Sequence, residues 1–286
     1  MSEMAQKLRA LVATGEHFMA GEAYSALTGR IVESVGFKAA YLGGHACSAF
    51  HYAVPDNGVF SQVEQLEQAS RIAAAMDIPL IADADTLGET VADAYHFTRR
   101  YVRAGIAGIH IEDEVNPKHS SAVGSLCRID DMQARIDAAR RAAGDSGFYI
   151  IARCDELYPQ ARGGGGTNSI EEAIKRGKAY AEAGADALFF PMGSPEAHEQ
   201  IIPELPLPVV TMGFNQPGTA FNMTTSWGWT GAAQLHLARA KELLETGSVK
   251  MDYVLEGKDH LIQQDFYDGL TAEWARKTGR PVREGY

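Results

Sequence analysis

Cysteine is scarce in this chain of 286 residues: Cys47, Cys127 and Cys154 are widely spaced, and no Cys-x-x-Cys pair occurs. That excludes a disulfide framework and a cysteine zinc knuckle. Basic residues are in deficit, 26 Lys and Arg against 37 Asp and Glu for a net charge of -11. The balance argues against general affinity for nucleic acid or for an anionic membrane. It leaves room for an anionic small molecule, because one arginine and a metal ion reverse the sign inside a pocket. Long apolar runs are missing as well: none approaches the roughly 20 residues that span a bilayer, and Met1 to Leu11 is polar rather than signal-like. The expected compartment is the cytoplasm.

What the chain does have is a repeating alternation. Apolar runs of strand composition recur at His17 to Ala20, Ala39 to Leu42, Pro79 to Ala82, Gly108 to Ile111, Phe148 to Ala152, Ala187 to Phe190 and Pro208 to Met212. Helical stretches separate most of them, including Ser61 to Ala75, Thr90 to Ala104, Asp130 to Ala143 and Ser169 to Ala183. The last opens on a capping box, Ser169 with Glu172, and stops before Gly184. These are β/α units, and 286 residues at 45% hydrophobic content suffice for one α/β domain, a (β/α)8 TIM-type barrel over 1–286. An eighth strand is expected near Met223 to Trp229, although Thr-Thr-Ser-Trp-Gly-Trp-Thr matches strand composition poorly; Phe221, Trp227 and Trp229 read as packing or interface aromatics. C-terminal helices follow from about 231 to 286. There Ile262, Phe266, Leu270 and Trp274 recur every four residues, an apolar stripe for its own barrel or for a neighbouring subunit.

Two strand-like runs end in carboxylates: Ile81-Ala-Asp83-Ala-Asp85-Thr86 and Ile109-His-Ile-Glu112-Asp113. In a parallel α/β protein such ends converge on one face, where hard oxygen ligands hold a cation against an oxygenated substrate. Helix-dipole capping explains a single acidic end; two successive ends point to a magnesium site. Two segments break the rhythm. Glu114 to Leu126 is polar and rich in Ser and Gly, and Tyr158 to Asn168 contains Gly163-Gly-Gly-Gly166. Both read as mobile loops over the catalytic face, and the glycine run reads as a flexible linker, since no Gly-Lys-Ser/Thr follows it.

A series of stretches, in this order and spacing, resembles the isocitrate lyase and phosphoenolpyruvate mutase superfamily. They are Gly36-Phe-Lys-Ala-Ala-Tyr41-Leu-Gly43-Gly44, Pro55-Asp56, Ala82-Asp83-Ala-Asp85-Thr86, Gly105 to Asp113, Pro117-Lys118, Ile151-Ala-Arg153-Cys-Asp155 and Ala183-Gly-Ala-Asp-Ala187. The resemblance covers Leu8 to Gly193 well and the remainder loosely. It implies a (β/α)8 barrel, a homotetramer that exchanges C-terminal helices between subunits, and a magnesium-dependent reaction through an enolate-like species, with manganese as a substitute. It implies Asp83 as the direct ligand, with Asp56, Asp85 and Glu112 holding the ion largely through water, which magnesium sheds reluctantly. Tyr41, Gly43 and Gly44 match the segment that binds the substrate carboxylate and oxygen. Arg153 matches the arginine that faces substrate, a buried salt bridge to Asp155 being the competing reading.

The departures shape the expectation. Lyases of isocitrate and 2-methylisocitrate carry Lys-Arg-Cys-Gly-His, whereas this chain reads Lys118-His119-Ser120-Ser121-Ala122. Serine cannot inherit the cysteine's role as an acid, which argues against methylisocitrate lyase activity. The phosphonopyruvate branch has Lys-Thr-Asn-Ser, nearer in character to Lys118 through Ser121, though its asparagine is also lost at Ser120. The loop after Thr86 reads Leu87-Gly88-Glu89 instead of Gly-aromatic-Gly, and Pro191 beside Met192 replaces the usual Glu or His, so a less charged substrate tail is expected. The expected catalytic set is Tyr41, Lys118, His119 and Arg153. Gly43, Gly44, His45, Ser120, Ser121 and Arg153 are the candidate substrate contacts, and His45 and His119 are candidates for the proton carrier that the missing cysteine leaves open. His45, Cys47 and His51 together read as packing rather than a soft-metal cluster.

The expected partner is a small-molecule carboxylate, and the expected reaction is carbon–carbon cleavage of a substituted 2-hydroxy or 2-oxo dicarboxylate. Phosphorus–carbon chemistry, as in phosphonomutases or phosphonopyruvate hydrolase, and a noncatalytic dicarboxylate-binding barrel are the alternatives.

Overall fold

A computed structural model describes residues 2–120, 122–213, 216–250 and 258–283 of the chain. The chain folds into two compact units, Met1–Gly231 and Ala232–Tyr286. In the first unit eight parallel strands close in sequence order into a barrel: β1 Phe18–Glu22, β2 Ala39–Leu42, β3 Leu80–Asp83, β4 Gly108–Glu112, β5 Tyr149–Arg153, β6 Ala187–Phe189, β7 Val209–Met212 and β8 Phe221–Met223. The crossovers carry helices α1 Glu3–Ala13, α2 Ala26–Ser34, α3 Gly44–Cys47, α4 Gln62–Ala73, α5 Val91–Arg103, α6 Ile129–Ala143, α7 Ile170–Glu182 and α8 Pro195–Ile201. The (β/α)8 expectation is met.

The strands are mostly apolar because both their faces are buried. One parity, including Ala40, Leu42, Leu80, Ala82, Ile109, Ile111, Ile150 and Ala152, packs outward in the layer between barrel and helices. The other, including Ala20, Ala39, Ile81, Ile151, Phe189, Val210 and Phe221, fills the barrel interior, which Leu8 of α1 plugs from the N-terminal end. Strand register then places the polar strand ends side by side: Asp83 opposite His110, and Glu112 opposite Arg153.

Most predicted elements lie within a residue or two of the observed ones. At α7 the Ser169 side chain accepts from the Glu172 N–H. Glu172 does not return the bond; its oxygens lie 3.1 Å from Lys175 and 3.3 Å from Arg176 instead. The eighth strand lies earlier than predicted. Phe221 and Met223 belong to the interior cluster, whereas the polar stretch after them is a loop tied to β1. The buried Glu22 carboxylate accepts the N–H of Ser226 and of Gly228, each at 2.6 Å. From Gly228 the chain turns into helix α9, Gly228–Thr246.

The second unit holds most of α9, then α10 Lys258–Leu261 and α11 Gln264–Lys277. These are the helices expected from about residue 231. The apolar stripe continues along α11, where Phe266, Leu270 and Trp274 are 59%, 49% and 50% exposed, with Ile262 just ahead of the helix.

Candidate active site

The four acids expected to hold a metal converge at the C-terminal ends of the strands. Asp83, Asp85 and Glu112 offer oxygens all within 4.8 Å of one another. Asp56 joins them through Lys118, whose Nζ lies 3.0 Å from Asp56 Oδ1, 2.5 Å from Asp85 Oδ1 and 3.2 Å from Glu112 Oε1. The main chain reaches this set at Gly44, whose N–H donates to Asp83 Oδ2 at 2.9 Å. A Cβ on Gly44 would stand 2.9 Å from Asp83 Oδ2, 3.1 Å from Asp85 Oδ1 and 3.3 Å from Asp56 Oδ1. Three carboxylates thus ring the space that a side chain would fill. Both oxygens of the fully buried Glu112 lack a hydrogen bond and face the cations of Lys118 and Arg153. A hard divalent cation fits this oxygen set.

These buried charges act directly on one another. Burial by itself pushes the Asp83 carboxyl up, but His110, Lys118 and Arg153 hold it well below the usual carboxylate range. Asp85 goes the other way, because burial and the charges of Asp83, Asp56 and Glu112 outweigh Lys118. Burial disfavours the Lys118 ammonium, yet the surrounding carboxylates push it well above its ordinary value.

At the barrel axis the Tyr41 hydroxyl shares a 3.0 Å hydrogen bond with His110 Nε2. His110 Nδ1 has no hydrogen-bond partner and lies 3.6 Å from Asp83 Oδ1. Burial draws the His110 imidazole below its ordinary range, against the pull of Asp83. Sequence reading passed over His110. The signal that finds it is parity: on a strand, residue 110 shares the inward face of Glu112.

The Arg153 fork is pinned. Its Nε and Nη2 each donate to Asp155 at 2.8 Å, Nη1 lies 2.9 Å from Glu112 Oε2, and Nη2 lies 3.0 Å from His119 Nε2. Asp155 is fixed in turn by Asp113, which accepts the Asp155 N–H at 2.9 Å, the Tyr180 hydroxyl at 2.6 Å and Arg176 Nη1 at 3.1 Å. The salt bridge to Asp155 and a place at the cavity therefore coexist.

A cavity of about 470 Å³ opens over these groups, and Tyr41, Gly43, Gly44, His45, Asp56, Asp83, His119 and Arg153 all line it. Asn57, Tyr158, Thr225 and Ser226, which sequence reading did not single out, line it too, together with the apolar Pro191, Met192 and Met212. Asp85, Glu112 and Lys118 are buried out of the lining. His45 is exposed, with its ring edge-on to Trp229 at 5.1 Å. Ser120 stands apart: its Oγ accepts from Ala122 N at 3.2 Å and Val123 N at 3.4 Å, and it is not among the lining residues. Ser121 lies outside the described residues.

The glycine run departs from the linker expected of it. A Cβ would stand 2.3 Å from Tyr158 O at Gly164, 2.6 Å from Ser125 C at Gly165 and 2.4 Å from Glu156 Cα at Gly166. These glycines let segments pass in close contact.

Fold and site together define a parallel α/β barrel whose strand ends carry an acidic cluster able to hold a metal ion. Residues 8–230 match the family model for Phosphoenolpyruvate phosphomutase, and the chain belongs to that family. Among curated relatives, 2,3-dimethylmalate lyase of Eubacterium barkeri is 37% identical over 199 residues, 69% of this chain and 65% of that one. Phosphonopyruvate hydrolase of Variovorax sp. (strain Pal2) is 37% identical over 187 residues, 64% of this chain and 62% of that one. The chain thus spans just under two thirds of the length of these relatives. Among solved structures, a phosphonopyruvate hydrolase complex with oxalate and Mg++ superposes with a TM-score of 0.81 at 26% identity, covering 94% of this chain and 98% of that one. A 2,3-dimethylmalate lyase, of the PEP mutase/isocitrate lyase superfamily, gives 0.85 over 100% of this chain and 98% of that one; at 24% identity it speaks to the fold alone.

Proposed function

We propose that this protein is a magnesium-dependent lyase that cleaves a carbon–carbon bond of a substituted 2-hydroxy or 2-oxo dicarboxylate through an enolate-like species. The observation that carries this reading is the carboxylate-ringed space at Gly44, next to a cavity that also presents Tyr41 and Arg153. Asp83 is the direct ligand in this reading, with Asp56, Asp85 and Glu112 around it. When bound, magnesium, or manganese in its place, supplies positive charge that polarises a substrate carboxylate and its neighbouring oxygen.

The chain's own residues supply the rest. Gly43 and Gly44 let a carboxylate approach the main chain, and the Tyr41 hydroxyl, backed by His110, carries a proton to or from a substrate oxygen. Arg153 faces the developing oxyanion with an orientation fixed by Asp155, and the Lys118 ammonium offsets the clustered negative charge from below. His119 takes the place of the missing cysteine as proton carrier. Pro191, Met192 and Met212 favour an alkyl-bearing tail over a second buried carboxylate, which would lack a partner there. The relative named for 2,3-dimethylmalate supports a substrate of that kind.

Incubation with oxaloacetate, alkylmalates, alkyltartrates and phosphonopyruvate, followed by proton and phosphorus NMR, tests the reading. Magnesium-dependent release of a keto acid, lost with chelator and in Asp83→Ala, is the expected outcome. A shifted phosphorus signal instead supports the second reading, phosphorus–carbon cleavage, which the phosphonopyruvate hydrolase relative favours. Tight oxalate binding without any product supports a noncatalytic barrel.

We further propose a homotetramer, on the support of the exposed α11 stripe. Among the described residues no helix is long and apolar enough to cross a membrane.

A further inference from the structure

We propose that Tyr158 and Glu114 are positioning residues for His119, which makes the loop after β5 a working part of the site rather than a spacer. The inference rests on the reading above only in giving His119 a role on substrate.

His119 has a backbone φ of 50°, in the left-handed region that residues with a side chain adopt uncommonly, and two loops hold it there. Within its own loop, Glu114 Oε2 accepts the His119 N–H at 2.8 Å, while Oε1 of the same carboxylate accepts the Gly165 N–H of the other loop at 3.2 Å. From that second loop Tyr158 lays its ring on the imidazole, with centroids 4.9 Å apart and planes 16° from parallel. Gly163 closes on the main chain, where a Cβ would stand 2.5 Å from both C and O of His119. The main chain and one ring face of His119 are thus fixed by groups outside the strands. Of its two nitrogens, Nε2 lies 3.0 Å from Arg153 Nη2, 3.6 Å from Asp155 Oδ2 and 3.7 Å from Glu114 Oε2, and Nδ1 lies 3.3 Å from Asp56 O.

Glu114 and Tyr158 contribute differently. The carboxylate spans two loops and sets where the His119 backbone sits; the aromatic face sets the rotation of the imidazole. Neither is assigned contact with the reacting atoms. Removing either leaves His119 in place chemically but unaimed, so kcat falls with KM nearly kept.

The test combines a mutant cycle with hydrogen exchange. Tyr158→Ala and Glu114→Ala are expected to lower kcat about 3- to 10-fold. Tyr158→Phe, which keeps the stacking face, restores it to within about twofold. On a His119→Ala background, Tyr158→Ala adds no further loss. Amide exchange of the protein as isolated, without metal or substrate, reads the geometry separately: Glu114→Ala raises exchange in 114–126 and in 158–168 together. An undiminished cost of Tyr158→Ala when His119 is already alanine overturns the proposal, and so does faster exchange confined to the loop that carries the substitution. If no substrate turns over, or His119→Ala leaves no rate to measure, the exchange arm decides by itself, and failure of the proposed reaction stays distinguishable from failure of this inference.

Discussion

A methyl group on Gly44 would enter the space between Asp83, Asp85 and Asp56. Gly44→Ala is therefore expected to weaken magnesium binding by at least about tenfold and to lower the melting temperature by a few degrees, as titration calorimetry and a thermal melt would show. Arg153→Lys should be nearly as damaging as its removal. A lysine keeps the charge but cannot hold two bonds to Asp155 while reaching Glu112, so kcat is expected to fall about 100-fold. At this scale Asp83, Asp85 and Glu112 were legible because they close apolar runs, and chain position then says which face they meet, whereas Asp56, in the loop after β2, was reached only through the resemblance. His110 was not: a histidine flanked by isoleucines reads as core, and its partner Tyr41 is 69 residues away in sequence. The place of Lys118 amid the acids was equally hidden, since a loop residue's reach depends on how the loop folds.

Among the elements, Asp186 ties the N-terminal end of the barrel together. It accepts Arg9 of α1 at 2.9 Å, Arg140 of α6 at 2.5 Å and the N–H of Ile150 in β5 at 2.8 Å. Asp186→Ala leaves the Ile150 N–H unpaired and removes the counter-charge of two guanidinium groups that keep their main-chain carbonyl partners, and is expected to cost about 2 kcal/mol, read from the urea midpoint. Activity at the opposite end of the strands should persist, since that face of a barrel serves stability. The parallel strands were readable because burial on both faces leaves unbroken apolar runs. β8 is hard to read because three residues carry too little composition, and the Trp-rich stretch behind it is a loop that runs into α9. The glycine run misled for a different reason: in a sequence, glycine that permits flexibility and glycine that permits contact look alike, and only the neighbours at Tyr158, Ser125 and Glu156 tell them apart.

For the whole molecule, the exposed Phe266 and Leu270 predict an assembly through α11. Replacing both with aspartate is expected to shift the sedimentation profile to monomer without altering far-UV circular dichroism, whereas an unchanged profile would remove the tetramer from the proposal. The topology bears on how the chain comes to be folded at all. β1 finds one of its two partners in β2, the next strand made, but the other, β8, is the last strand of its unit and only three residues long. On the ribosome, then, the open edges of β1 and β7 persist until Met223 has emerged, and any nascent chain cut short of Phe221 carries two pairing-competent edges into the crowd of other unfinished chains.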